Sequence, residues 1–187
     1  MSAVSTSNEQ AIRRVRAWIE RFVVDLNLCP FARPVVSSGA LRIVACESAS
    51  PEAIATLLIT ELDLLSQSAE SDIATSVLVF PEGLEEFDDY LGFLDDAQRV
   101  LEEMGLDGEI QIASFHPDYR FEGEPVDAVS HFTNRAPYPL IHLLRETMVS
   151  TLLENYPNPE RIPERNIQTL ERLGLAGIER ILHSLDR

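Results

Sequence analysis

Leu41-Arg42-Ile43-Val44-Ala45-Cys46, then Ser50-Pro51 opening a run with Ile54, Leu57, Leu58, Leu62 and Leu65, then Thr75-Ser76-Val77-Leu78-Val79-Phe80: this stretch decides the fold. The first and last segments are short, apolar and of strand length. The middle run carries its apolar residues at helical spacing. Serine before proline is a strong helix start, because the hydroxyl caps a free N–H and proline tolerates the first helical position. Thr75 to Phe80 is almost wholly apolar, which predicts a strand covered on both faces and hence central.

Working outward, Pro81-Glu82-Gly83 breaks the chain. Phe87, Tyr90, Leu91, Leu94, Gln98 and Leu101 predict another helix, stopped at Gly105. Glu109 to Phe115 predicts a third strand. The order β-α-β-α-β makes parallel neighbours with right-handed crossovers the first choice. A ferredoxin-like split arrangement, with antiparallel neighbours and one more strand, is the alternative. The expectation is an α/β single domain over 1–187, with a small mostly parallel sheet of about three to four strands packed with helices.

Before this unit, residues 1–7 read as a disordered tail. Ile12, Val15, Ile19, Phe22, Val23 and Leu26 then form a helical stripe that must end before Pro30. After Phe115 the pattern becomes proline-rich. Leu140 to Leu153 predicts a helix, with Leu140, Leu144, Met148 and Leu152 on one face. Residues 154–187 predict a C-terminal helical hairpin, with Asn166–Leu173 and Leu175–Leu185 joined at Gly174.

Composition narrows the chemistry. The chain has 187 residues and a formal charge of −16, a field that repels nucleic acid and anionic membranes. All 15 basic residues are arginine. The absence of lysine excludes a lysine Schiff base and a Walker-type phosphate loop. Two cysteines are too few for a disulfide framework or a cysteine-based zinc site. No segment reaches the ~18 apolar residues of a membrane span, and the N-terminus does not resemble a signal peptide. A reducing cytoplasm is the expected compartment.

Candidate chemistry is concentrated between Phe115 and Glu146, which hold His116, His131 and His142 together with Arg120, Arg135 and Arg145. His116 and Asp118 lie just past the third strand, where parallel α/β sheets bind ligands. They suit a general base with its orienting carboxylate, or an ordered turn capped by Asp118. Arg120 and Arg135 are candidates for clamping an anion, with Asn134 and Tyr138 beside them on a loop stiffened by Pro137 and Pro139. Internal pairing with the carboxylates, 31 against 15 arginines, is the competing reading. Cys29 is a candidate nucleophile, set against the commoner case of a buried inert thiol. Cys46 reads as core. A metal held by Cys29, His116, Asp118 and His131 is conceivable, but no spaced ligand motif supports it, and no cofactor fingerprint is present.

Three segments carry a resemblance: Asn27-Leu28-Cys29-Pro30-Phe31-Ala32, Phe115-His116-Pro117-Asp118-Tyr119-Arg120-Phe121 and Asn134-Arg135-Ala136-Pro137-Tyr138-Pro139. In these the chain resembles a bacterial family known only as a domain of unknown function (DUF1415), over nearly its whole length. The resemblance implies that the three segments surround one pocket, and it transfers no activity. The functional expectation is an enzyme acting on a small anionic metabolite, of hydrolase or transferase type. Arg120 and Arg135 would grip the anion, His116 with Asp118 would move a proton, and Cys29 would be the nucleophile. The alternative is a non-catalytic module binding a metabolite or a partner protein.

Overall fold

The computed structural model describes residues 3–185, with side chains from residue 7 onward. Helix α1 (Ala3–Trp18) starts inside the stretch expected to be a tail. Residues 1 and 2 of that stretch, and 186 and 187 of the expected hairpin, lie outside the described residues. From Ile19 to Val24 the helix widens into i→i+5 bonding, and Leu28 N–H continues this pattern to the Val23 carbonyl. Then come α2 (Ala32–Ser38), β1 (Leu41–Ala45), α3 (Pro51–Gln67), β2 (Thr75–Val79), α4 (Phe87–Glu103) and β3 (Ile110–Phe115). A 3-10 turn at Val129–Thr133 precedes β4 (Leu140–Arg145), α5 (Glu146–Glu154) and α6 (Ile162–His183). Ser50 caps α3 by accepting the Ala53 N–H, as its position before Pro51 predicts. Within α6, Gly174 takes φ 68 and ψ 164 and breaks the helix in two.

The sheet order is β1-β2-β4-β3. β1 and β2 are parallel, whereas β4 is antiparallel to both β2 and β3. The three strands of the β-α-β-α-β unit therefore run the same way. Their carboxyl ends share one edge with the start of β4. The fold is α/β with helices on both sides of a mixed four-stranded sheet, and parallel pairing is confined to β1 and β2.

β4 corrects the expected Leu140–Leu153 helix: its first six residues are a strand, and only Glu146–Glu154 is helical. Pro137 and Pro139 deliver the chain in extended form. The unpaired edges of β2 and β3 offer ladder partners on both sides. Hydrogen bonding to two neighbours outweighs the helical spacing of Leu140, Leu144, Met148 and Leu152. With apolar residues on both of its faces, Leu140 to Leu144 shows no period-2 pattern to betray a strand.

Because side chains alternate, each register row points to one face. Leu78 and Phe80 of β2 and its flank join Ile141 and Leu143 of β4 against α3 and α4. The opposite face has three rows: Leu41–Thr75–Leu144–Gln111, Ile43–Val77–His142–Ala113 and Ala45–Val79–Leu140–Phe115. Over it lie α1, α2, α5 and α6. Among the described residues no helix is long and apolar enough to cross a membrane.

Candidate functional site

At the carboxyl edge of the sheet His116 is fully buried. Its Nδ1 accepts the Asp118 N–H at 3.0 Å, so that nitrogen carries no proton. Nε2 therefore donates to the Leu84 carbonyl at 3.0 Å. Leu84 presents this carbonyl from a left-handed conformation, φ 60. The ring of His116 lies 5.2 and 5.0 Å from the rings of Phe87 and Tyr90. His131, also fully buried, is wired the same way. Its Nδ1 accepts the Phe121 N–H at 3.1 Å, and Nε2 donates to the Pro125 carbonyl at 2.8 Å. Both imidazoles staple loops, and neither has a nitrogen left to take a proton from a substrate. Of the two expectations for His116, general base or ordered turn, these bonds match a turn: backbone partners engage both ring nitrogens, and Asp118 contributes its backbone N–H.

The neighbouring loop is held similarly. Asn134 donates from Nδ2 to the Ser114 carbonyl at 3.1 Å, and its own carbonyl accepts the His116 N–H at 3.1 Å. Arg135 donates from Nε to the Tyr119 carbonyl at 3.2 Å and stacks 4.7 Å from the Phe132 ring. Burial lowers the Arg135 pKa, Asp118 opposes this, and the charge of Arg120 adds to it. Arg120 and Asp118 are exposed. Tyr138 packs against the core and carries Arg14 5.7 Å from its ring centre.

Cys29 lies apart from this edge cluster. Asn27 at φ 53 reverses the chain after the widened helix, and Asn166 Nδ2 clamps the turn by donating to the Leu28 carbonyl at 2.7 Å. The turn sets Cys29 and Phe31 into the wall of a partly open cavity of about 250 Å3. Among the described residues nothing joins Cys29 to His116 or Arg135, and no three His, Cys, Asp or Glu side chains are grouped to hold a metal ion. The set Cys29, His116, Asp118 and His131 does not assemble.

The cavity lies between the sheet and α1, α2 and α5. Its floor includes Val77, Ala113, Leu140 and Leu144, and its walls include Trp18, Phe31, Val36 and Met148. Polar groups are few: Cys29, Thr75, Gln111, His142 and the indole N–H of Trp18, which is buried without a hydrogen-bond partner among the described residues. The space exists because two lid helices pack thinly. No residue of α2 is buried, and Met148 alone is buried in α5. Val35, Val36 and two serines in seven residues make α2 a weak helix by propensity. A more open hollow outside, about 550 Å3, shares Phe31, Val35, Met148 and Leu152 with the cavity. These four side chains stand between the interior and solvent.

His142 occupies the centre of the floor, between Val77 and Ala113 in its row. The single hydroxyl hydrogen of Thr75 goes to the Leu143 carbonyl at 2.6 Å. The 2.5 Å contact with His142 Nε2 therefore has the imidazole donating to Thr75. Nδ1 is left as an acceptor with no protein partner among the described residues. The ring is half-buried and lines the cavity. Burial lowers its pKa from 6.5 to about 4, so it is neutral at pH 7. Burial also raises the pKa of the Cys29 thiol, against the smaller opposing effect of the Phe31 and Ala32 N–H groups.

The expected Leu140–Leu153 helix gives His142 no place on the sheet face, whereas β4 sets it in the cavity floor. Thr75, Gln111 and Ala113 carried no chemical signal at all. Fold and cavity define an α/β protein with a partly filled sheet face and a small-molecule-sized apolar chamber. The chain belongs to the DUF1415 family, described as a protein of unknown function, whose model matches residues 10–180. No curated protein and no solved structure matches the chain. Of the three segments that carry the resemblance, the first supplies Cys29, Phe31 and Ala32 to the cavity lining and the second only Phe115, while no residue of the third lines it.

Proposed function

We propose that this protein is a binding module for a small, largely apolar molecule held between the sheet and the α2 and α5 lids. The cavity supports this reading, being apolar and floored by the sheet. An apolar cavity of about 150 Å3 holds benzene, so about 250 Å3 suits a ligand on the order of ten heavy atoms. Phe31, Val35, Met148 and Leu152 are the side chains a ligand must displace on its way in. Naphthalene is a suitable probe. Saturable binding should raise the unfolding temperature by mass action, and Ala113→Phe should abolish the rise by filling the floor. No shift with the wild-type protein at saturating naphthalene would count against the reading.

A second reading keeps the enzyme acting on a small anion. It is favoured by the two guanidinium groups of Arg120 and Arg135 lying within electrostatic reach of each other beside Asp118. Titration with inorganic phosphate tests it. Shifts in the Arg120 and Arg135 side-chain NMR signals that Arg120→Ala removes would favour this site, and unchanged spectra would exclude it.

A further inference from the structure

We propose that the cavity selects an apolar ligand carrying one hydrogen-bond donor, such as a phenolic hydroxyl, and that the ligand delivers it to Nδ1 of His142. This rests on the reading of the cavity as a ligand site and adds what that site recognises. The argument starts from the wiring of three histidines. His116 and His131 each accept a backbone N–H on Nδ1 and donate from Nε2 to a carbonyl, so both rings are complete within the protein. His142 is not complete. Thr75 fixes its tautomer by accepting from Nε2, since the threonine hydrogen is already given to Leu143.

The remaining lone pair lies on Nδ1. It belongs to a ring in the central strand of the sheet, flanked by Val77 and Ala113, with the cavity above it. An acceptor that lines an apolar cavity without a donor costs free energy that an apolar side chain of similar size would avoid, and a ligand donor recovers it. An apolar site built to receive a hydrogen bond discriminates strongly against the analogue that lacks the donor. Ligands with a fixed negative charge are disfavoured, because the surroundings are apolar and the imidazole is neutral. Gln111, in the neighbouring row, is the other floor side chain able to meet a polar atom.

The test compares 1-naphthol with naphthalene, which differ by the hydroxyl. Calorimetric or fluorescence titration of the full chain should give 1-naphthol at least about tenfold higher affinity, equal to one well-made hydrogen bond. In His142→Leu the advantage of 1-naphthol over naphthalene should disappear. Imidazole 15N NMR of the wild-type protein supplies a readout that needs no variant. Free protein should show His142 protonated on Nε2 alone, and 1-naphthol, not naphthalene, should shift the Nδ1 resonance. Equal affinities with an unmoved Nδ1 signal would overturn the donor requirement and leave the apolar site intact. Binding of neither compound would remove the cavity reading itself.

Discussion

The two faces of the sheet are made from alternate residues of the same four strands, yet they are finished differently. Against α3 and α4, the side chains of Leu78, Phe80, Ile141 and Leu143 have no exposure at all. Tyr90 adds two hydrogen bonds there, donating to the Leu140 carbonyl at 2.8 Å and accepting the Phe115 N–H at 2.9 Å. Arg42 grips the buried Glu61 through two bonds of 2.7 and 2.8 Å, joining β1 to α3. The other face is sealed where α1 and α6 bring Val15, Phe22, Leu170 and Ile178, all fully buried, against it. Under α2 and α5 it is not. The difference teaches that packing is divided by face: one side is filled by side chains with no exposure, and the other retains volume that its lids do not fill.

The largest test of this contrast uses two adjacent leucines of β4. Leu143→Ala removes a side chain enclosed on every side and should cost about 2–5 kcal/mol in urea unfolding. Leu144→Ala enlarges a space that already exists and should cost less than about 2 kcal/mol, because fewer contacts are lost. Equal losses would mean that the faces are packed alike.

Acid should discriminate next. His142 has a folded pKa of about 4 against 6.5 for the free side chain. Between those values the unfolded chain binds the proton and the folded chain does not, so stability rises with pH across the window. The contribution is complete above about pH 6.5 and lost as pH falls toward 4, on the order of 3 kcal/mol in all. Comparing urea unfolding of wild type and His142→Leu from pH 7 to 4 isolates it from the many carboxylates. Parallel profiles would show that the ring is in contact with bulk water.

Adding volume sharpens the contrast from the opposite direction. Ala97 of α4 is fully enclosed, and Ala97→Leu should destabilise by about 1–3 kcal/mol through overpacking. Ala113 faces the cavity, and Ala113→Leu should be neutral or stabilise by up to about 1 kcal/mol. Loss of naphthalene binding in that variant alone would tie the stability gain to the filled space.

These contrasts also separate what the sequence discloses from what it does not. Thr75–Val79 was legible as a central strand because an apolar run with no polar alternation requires cover on both sides. The α3 start was legible because serine and proline each have one strong positional preference. β4 was not, since Leu140 to Arg145 satisfies strand and helix equally and the sheet decides between them. His116 was legible as lying past a strand end, but the partners of its ring were not. Its partner is the Leu84 carbonyl, turned toward it by a positive φ that no propensity predicts for leucine. The cavity could not be read at all, because it consists of volume that side chains leave empty.

The smallest effect concerns a rate. Cys29 is half-buried in the cavity wall, and its thiol is pushed above its ordinary pKa by burial. A free thiol is only a few per cent thiolate at pH 7, and the raised value leaves less. Iodoacetamide should therefore alkylate Cys29 at least about tenfold more slowly than in the urea-unfolded chain. Naphthalene should slow it further by occupying the space beside it. Cys46 is 4% exposed and donates to the Ser48 carbonyl, so it should react only on global unfolding. The two cysteines thus report on the two faces, since Cys46 packs with α3 and α4 and Cys29 with the lids. If Cys29 reacts as fast as an unfolded thiol, the α2–α5 side stands open to solvent. If both react only on global unfolding and naphthalene changes neither rate, the lids are as tightly closed as the packed face, and the division of labour between the faces fails.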